Sequence, residues 1–279
     1  MPTGLSLHLG LRRVKPSLFA SVFTNKLPQE NDLFGCDVDA AHMADLAANL
    51  GYEVLGTLTN DDALFPVVHA HILDAAGRLG PGDIFLLTFS GHGNQVRDDD
   101  ADEKDGAQDD TWLFFDEEVR DDAFAALWLH FDPLVRIVVV LDSCHSGTAT
   151  TMLFKGAEAL AEPLVADASP KQAIESANDD PLPTMPFSKQ LAERGPVVVL
   201  LAACEDGGTT EPAATPDTTS PFTTQLLETY HRTEGQVVNG YEGFHEELQR
   251  DYGTAQLFVA GPDTTEFRSY VTSDQPLGI

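Results

Sequence analysis

Six short apolar runs constrain the fold of this chain more than any other sequence feature. They are rich in β-branched and aromatic residues and lack strict alternation, which predicts strands buried on both faces of a sheet. The runs are LSLHLGL (5–11), YEVLGTLT (52–59), DIFLLTFS (83–90), VRIVVVLD (135–142), PVVVLLAA (196–203) and QLFVAG (256–261). Helical patterns lie between them at 38–50, 63–79, 121–130, 222–231 and 240–251. This alternation predicts an α/β fold with helices on both faces of a mostly parallel sheet.

The chain is strongly acidic, which limits the partners it can bind. Asp and Glu number 45 and Lys and Arg number 16, a formal net charge of −29. Such a charge repels nucleic-acid phosphates and anionic lipid headgroups. We therefore expect no nucleic-acid partner and no membrane partner, and a cationic substrate, partner or metal instead.

The cysteines and the apolar runs also bear on location. No apolar stretch approaches the ~20 residues of a membrane span, and no basic region precedes an apolar segment at the start. The three cysteines are far apart, without a CxxC pair or zinc-ligand spacing: Cys36, Cys144 and Cys204. This pattern is typical of a reducing compartment, so we predict a cytoplasmic protein.

Two predicted strands end in reactive sequence, LLTFSGHGNQ (86–95) and VVVLDSCHSGT (138–148). Ligands of open parallel sheets bind at the carboxyl ends of the strands, so we expect His92 and Cys144 to share one site. A thiol beside an imidazole is the minimal set for a cysteine nucleophile and its base. The backbone N–H groups of Gly93 and Cys144 are then candidates for an oxyanion hole. Alone, either side chain would more often be a packing cysteine or an ordinary hydrogen-bonded histidine.

Side-chain alternation brings two more polar residues to this site. In strands that stay extended to their ends, Ser90 shares a face with His92, and Asp142 shares a face with Cys144. His145 would point away from Cys144, so it is the poorer candidate base despite its adjacency.

FSGHG and LDSCHSG, in this order and spacing, resemble the motifs of the caspase-fold cysteine peptidases, in particular the metacaspase and orthocaspase branch. The resemblance covers almost the whole chain. Residues 34–54 are similar to the family's first helix, and 197–212 and 220–228 are similar to the start of its small subunit. It implies a caspase-like three-layer α/β/α sandwich with a mostly parallel six-stranded central sheet.

The same resemblance implies one peptidase domain over residues 1–279. A large-subunit-like part covers 1–155, a Pro-rich linker covers 156–194, and a small-subunit-like part covers 195–279. The basic residues around the linker lie among prolines in a stretch that we expect to be accessible: Lys155, Lys171, Lys189 and Arg194. We therefore predict a zymogen that is activated by self-cleavage or by an upstream protease.

By the resemblance, Cys144 is the nucleophile and His92 the general base of an endopeptidase that works through an acyl-enzyme. Metacaspases cleave after Arg or Lys, and the residues of their acidic S1 pocket correspond here to Cys36, Asp39, Ser90 and Asp142. A carboxylate pair would bind the guanidinium of the P1 residue, which precedes the cleaved bond, through charge-assisted hydrogen bonds.

Three of the four pocket residues also have a simpler interpretation. Asp39 or Asp37 could cap the helix over 38–50. Asp142 could be satisfied by local N–H groups, and Cys36 could be a small core residue. These alternatives stay open at the level of sequence.

The segment DDDADEKDGAQDD (98–110) suggests a calcium site, because Ca²⁺ prefers several carboxylate ligands. The resemblance indicates a set of ligands around it. Three of the four Asp positions of calcium-dependent metacaspases are matched by Asp109, Asp121 and Asp122, whereas the fourth is Thr151. A solvated acidic loop is the alternative. We therefore predict that no cofactor is required, with Ca²⁺ as the candidate metal.

Three rival functions remain at this point. The first is a caspase-fold interaction module without catalysis, although an intact pair of His92 and Cys144 speaks against it. The second is a peptidase of non-basic P1 specificity. The third is a non-peptidase α/β enzyme, for which the sequence offers no GxSxG, GxxxxGK[ST] or complete GxGxxG motif.

Overall fold

A computed structural model describes residues 2–97, 108–143, 187–204, 210–262, 264, 269–272 and 274–279. The strands in these residues are β1 Gly4–Gly10, β2 Glu53–Thr59, β3 Ile84–Ser90, β4 Gly93–Arg97, β5 Gln108–Leu113, β6 Glu118–Arg120, β7 Arg136–Asp142, β8 Val197–Ala202 and β9 Gln256–Ala260. The helices are α1 Pro16–Val22, α2 Cys36–Asn49, α3 Phe65–Arg78, α4 Asp121–Trp128, α5 Phe187–Arg194, α6 Pro221–Thr233 and α7 Gly240–Asp251. Short 3₁₀ turns cover Pro28–Asn31 and Asn60–Asp62.

The central sheet has six strands in the order β2-β1-β3-β7-β8-β9. The first five strands run parallel, and β9 runs antiparallel to β8. All six strands correspond to the apolar runs, so the predicted mostly parallel sheet is confirmed. Strands β1, β3 and β8 are buried along their whole length, as expected for strands that are covered on both faces.

Helices cover both faces of this sheet, which confirms the three-layer α/β/α architecture. On one face, α3 and α4 bury Ile72 and Trp128 against the strands. On the other face, α2, α6 and α7 bury Met43, Phe222 and Phe244. Each side chain of this size contributes about 1.5–3 kcal/mol when it leaves water, so the two apolar clusters hold the layers together.

Local signals explain where the two helices nearest the strand ends begin. Helix α2 starts at Cys36 because Gly35 adopts a left-handed φ of 92°, which a side chain would strain. The start lies two residues before the predicted one. Helix α6 starts with Ser220 as its N-cap and Pro221 in its first turn, both favoured there.

A second, antiparallel sheet in the order β4-β5-β6 was not predicted from the sequence. It begins at Gly93, directly after His92, and Trp112 on β5 stacks on Phe124 of α4 with ring centroids 4.1 Å apart. Its strands are short and polar, so they lack the apolar run that marks the central strands. Residues 98–107 of the acidic segment lie outside the described residues.

The predicted linker lies mostly outside the described residues, which resume at residue 187. Its last eight residues form helix α5, and the side chain of Leu191 is buried in the core. Among the residues that the structure describes, no helix has the length and apolarity needed to cross a membrane.

Candidate active site

The carboxyl ends of β3 and β7 meet at the centre of the sheet. The two strands pair in register, and Ser90 lies opposite Asp142. The next backbone N–H, that of Gly91, donates to the Asp142 carbonyl oxygen at 3.1 Å. His92 follows Gly91 after β3, and Ser143, which is buried, follows directly after β7. The predicted nucleophile Cys144 is the next residue in the chain and lies outside the described residues.

His92 is buried in an aromatic and polar environment. Its ring packs against Phe19 and Phe23, with centroids 5.4 and 5.7 Å away. Its Nε2 lies 3.1 Å from the backbone carbonyl oxygen of Asn31. Because a carbonyl only accepts, Nε2 carries the proton of the neutral ring and Nδ1 is the basic nitrogen. Burial lowers the pKa of His92 to about 4, so the imidazole is neutral near pH 7.

The Asn31 side chain fixes the carbonyl that orients His92. Asn31 Oδ1 accepts from the Val14 N–H at 3.1 Å, and Nδ2 donates to the Val14 carbonyl at 2.8 Å. Asn31 is itself buried. Sequence reasoning missed this residue, because it lies 61 positions from His92 and carries no motif.

Asp39 and Ser90, predicted for the S1 pocket, are in direct contact. Asp39 is 1% exposed in the first turn of α2. Its Oδ2 accepts from Ser90 Oγ at 2.8 Å, and its Oδ1 accepts from the Ser220 N–H at 2.9 Å. Its carboxylate therefore accepts hydrogen bonds from β3 and from the residue before α6. It does not cap α2, whose N-cap is Gly35.

Asp142 is buried near Asp39, and its hydrogen-bond donors also lie at the start of α6. Its Oδ2 accepts from Ser220 Oγ, and from Thr223 Oγ1 at 3.0 Å. Ser220 Oγ also accepts from the Thr223 N–H at 3.0 Å and so caps α6. Sequence reasoning missed Ser220 and Thr223. The Ser-Pro signal identifies the start of a helix, but it does not indicate what that helix faces.

Burial and mutual repulsion disfavour the charged forms of both acids. Burial raises the pKa of Asp39, and the neighbouring Asp142 raises it further. Burial also raises the pKa of Asp142, while the hydrogen bonds from Ser220 and Thr223 oppose the shift. Among the described residues, neither carboxylate has a hydrogen bond or an ion pair with a Lys or Arg; their donors are Ser90, Ser220 and Thr223. A positive charge beside the pair would favour the charged forms of both acids.

A small cavity lies between the two acids. Its polar lining consists of Asp39, Thr88, Ser90, Asp142 and Thr223. It has room for about one water molecule. The other half of its lining is apolar: Leu9, Ala40, Met43, Phe89 and Val140.

The two cysteines that the structure describes, Cys36 and Cys204, are both buried and fit packing roles. Burial raises the pKa of the Cys36 thiol, and a hydrogen bond with Ser90 lowers it by less. The thiol is therefore protonated near pH 7 and contributes a neutral wall beside Ser90. Cys204 is also buried, and its Sγ donates to the Ser143 carbonyl at 3.5 Å.

The predicted oxyanion hole and metal ligands are described only in part. Gly93 opens β4 directly after His92, while the other N–H belongs to Cys144, outside the described residues. Asp121 and Asp122 form the first turn of α4, directly after β6. Asp109 belongs to β5, which pairs with β6. The described side chains contain no group of three or more His, Cys, Asp or Glu that could hold a metal, and the Asp109 side chain is not among them.

Comparisons with known proteins agree with this architecture. The chain matches the family model described as "Caspase domain" over residues 19–251. It is 36% identical to Metacaspase-1 of Kluyveromyces lactis over 138 residues, which cover 44% of this chain and 32% of that protein. It is 38% identical to Metacaspase-1B of Aspergillus fumigatus over 139 residues, which cover 45% of this chain and 34% of that protein.

A solved structure extends the comparison over the whole chain. The crystal structure of protein GSU0716 from Geobacter sulfurreducens superposes with a TM-score of 0.70 at 30% identity, covering 100% of this chain and 99% of that one. The chain spans about a third of the length of the two fungal metacaspases. The resemblance to caspase-fold proteins and to metacaspases is confirmed, and the chain belongs to the caspase-domain family.

Proposed function

We propose that this chain is a cysteine endopeptidase that cleaves peptide bonds after Arg or Lys through an acyl-enzyme. Membership in the caspase-domain family and the similarity to metacaspases support a cysteine peptidase. One observation carries the basic specificity: Asp39 and Asp142 are both buried at this site, and among the described residues no Lys or Arg binds either of them. The cationic side chain of the substrate would offset this charge.

The proposed reaction uses His92 as the base for Cys144. The Cys144 sulfur attacks the carbonyl carbon of the P1 residue, and Nδ1 of His92 takes the thiol proton. The C–N bond then breaks, and the imidazolium returns the proton to the leaving amine. Water next hydrolyses the thioester, which releases the new carboxylate and restores the thiol. Nε2 stays bonded to Asn31 throughout, so the ring keeps its orientation.

A fluorogenic peptide panel tests the activity and its specificity together. The substrates differ only at P1, with Arg, Lys or Asp, and the proteins are wild type and Cys144→Ala. We expect turnover of the Arg and Lys substrates by wild type and none by Cys144→Ala. Turnover of the Asp substrate instead would establish the non-basic rival. Turnover of no substrate, even after trypsin has nicked the linker, would favour the interaction module.

Proteolytic activation is part of the proposal. Helix α5 contains Lys189 and Arg194 and buries Leu191, so cleavage there would require the helix to open. We therefore expect cleavage after Lys155 or Lys171, either by the enzyme itself or by an upstream protease. N-terminal sequencing of the fragments identifies the site. If purified wild type and Cys144→Ala show the same intact band after incubation, self-processing is wrong.

The proposed location is the cytoplasm. Cys36 and Cys204 are free thiols and both are buried. Free thiols suit a reducing compartment. Cell fractionation of the native host checks this assignment.

A further inference from the structure

Thr223 lies in the wall of the acidic pocket, although it belongs to a distant part of the chain. Its side chain is 2% exposed in the first turn of α6. Its Oγ1 donates to Asp142 Oδ2 at 3.0 Å, across 81 positions of sequence. Thr223 also lines the small cavity together with Asp39 and Asp142. Thr223 is therefore part of the wall that the two acids also form, and its hydroxyl group binds one of those acids.

The start of α6 contacts both acids at once. The Ser220 N–H binds Asp39 Oδ1, and the Ser220 hydroxyl binds Asp142 Oδ2. The Thr223 hydroxyl donates to the same oxygen of Asp142. Two donors on one oxygen fix the rotation of the carboxylate group. Ser220 also caps the helix, so Thr223 is the donor that can be removed without removing the cap.

Hydroxyl donors matter here because the acids are buried. A buried carboxylate that lacks donors gains a proton, since burial penalises only the charged form. A protonated acid is a weak partner for a guanidinium or an ammonium group. Donors that bind the charged form therefore favour the carboxylate that a basic P1 side chain requires.

We propose that Thr223 is a specificity-determining residue of the basic P1 site, because its hydroxyl group orients Asp142 toward the substrate cation. The inference rests on the proposed function and adds to the site a residue from the small-subunit-like part of the chain. Thr223 acts through Asp142, so its effect belongs to substrate binding and leaves the Cys144 and His92 chemistry unchanged.

The test compares Thr223→Val, Thr223→Ser and Thr229→Val with wild type. Valine removes the hydroxyl at nearly constant volume, and serine restores it. Thr229 is a matched control on the same helix: it is fully buried, and its hydroxyl group has no hydrogen-bond partner among the described residues. Initial rates on the P1-Arg peptide give KM and kcat, and alkylation of Cys144 by iodoacetamide reports on the nucleophile alone.

We expect Thr223→Val to raise KM about tenfold, as loss of a hydrogen bond to a charged group implies. Its kcat and its alkylation rate should stay within about twofold of wild type. Thr223→Ser should restore KM, and Thr229→Val should match wild type. If Thr223→Val does not fold, Thr223→Ala provides the same comparison.

Three outcomes overturn the inference, and they are distinguishable. If wild type cleaves the P1-Arg peptide and folded Thr223→Val has an unchanged KM, the inference is wrong and the proposed function stands. The inference is equally wrong if serine does not restore KM. If wild type does not cleave after Arg or Lys, the basic specificity and the inference fail together.

Discussion

Nε2 of His92 donates its proton to the backbone carbonyl oxygen of Asn31, 3.1 Å away. This hydrogen bond fixes the tautomer of the ring, since the carbonyl can only accept. The Asn31 side chain holds the same carbonyl in place through two hydrogen bonds to the backbone of Val14. Asn31 is therefore a positioning residue for the proposed base.

Asn31→Ala should lower kcat/KM for a P1-Arg peptide by about tenfold to a hundredfold, because a small displacement of a catalytic group is costly. The Asn31 carbonyl that accepts from Nε2 of His92 would lose its two anchors on Val14. Asp32→Asn is the matched control: Asp32 lies next in the chain and forms a partly exposed ion pair with Arg12. It should change kcat/KM by less than about twofold. Equal effects of the two variants would contradict the positioning role.

His92 should stay neutral down to about pH 4, as its lowered pKa implies. The unfolded chain takes up this proton near pH 6.5, whereas the folded chain does not. The buried neutral ring therefore makes its full contribution to the free energy of unfolding above pH 6.5, and this contribution is lost as pH falls from 6.5 toward 4.

Urea unfolding at pH 7.5 and pH 5 measures this effect. Wild type should lose about 1–2 kcal/mol more stability than His92→Gln on that change of pH. ¹⁵N NMR of the ring should show the Nε2–H tautomer at both pH values. A ring that titrates near pH 6.5 in the folded protein would contradict the burial argument.

Asp142→Asn should stabilise the substrate-free protein at pH 8 and remove cleavage after Arg. The raised pKa of Asp142 means that the folded state holds a proton over a range where the unfolded state has lost it. Stability therefore falls as pH rises from about 4 toward neutrality. Asparagine keeps an oxygen for Ser220 and Thr223 and removes the charge.

We expect Asp142→Asn to unfold with a free energy about 1–3 kcal/mol higher than wild type at pH 8, and with a smaller difference at pH 4.5. Thermal unfolding at both pH values measures this difference. Activity on the P1-Arg peptide should fall at least about a hundredfold, since one of the two carboxylates is lost. Asp132→Asn, in the loop before β7, is the control and should change neither quantity. An equal change in stability at both pH values would show that Asp142 does not titrate as proposed.

Turnover should persist in the presence of EDTA. By the resemblance, Asp109, Asp121 and Asp122 match three of the four Asp positions of calcium-dependent metacaspases, and Thr151 stands at the fourth. Fewer carboxylates bind Ca²⁺ more weakly. The measurement compares rates in EDTA and in excess CaCl₂, with Asp122→Asn as the variant. Loss of activity in EDTA that Ca²⁺ restores would make calcium a required cofactor.

The six strands formed by apolar runs were predictable, and so was the edge of the sheet where the site lies. Parallel strands place their carboxyl ends together, so the residues that follow β3 and β7 had to be neighbours. The second sheet was not predictable, since β5 begins with the polar residues Gln108, Asp109 and Asp110. Its place depends on Trp112 packing against α4, a contact between distant segments.

The sequence by itself determined the α/β architecture, the positions of the two reactive motifs and the acidic character of the chain. Each of these follows from local pattern or from composition. Only the tertiary structure decided which groups complete the site: the Asn31 carbonyl on His92, and the hydroxyl groups of Ser220 and Thr223 on Asp142. These contacts span 61 to 81 positions of the chain. Such pairs have no sequence period, because side chains meet there only after the helices have packed on the sheet.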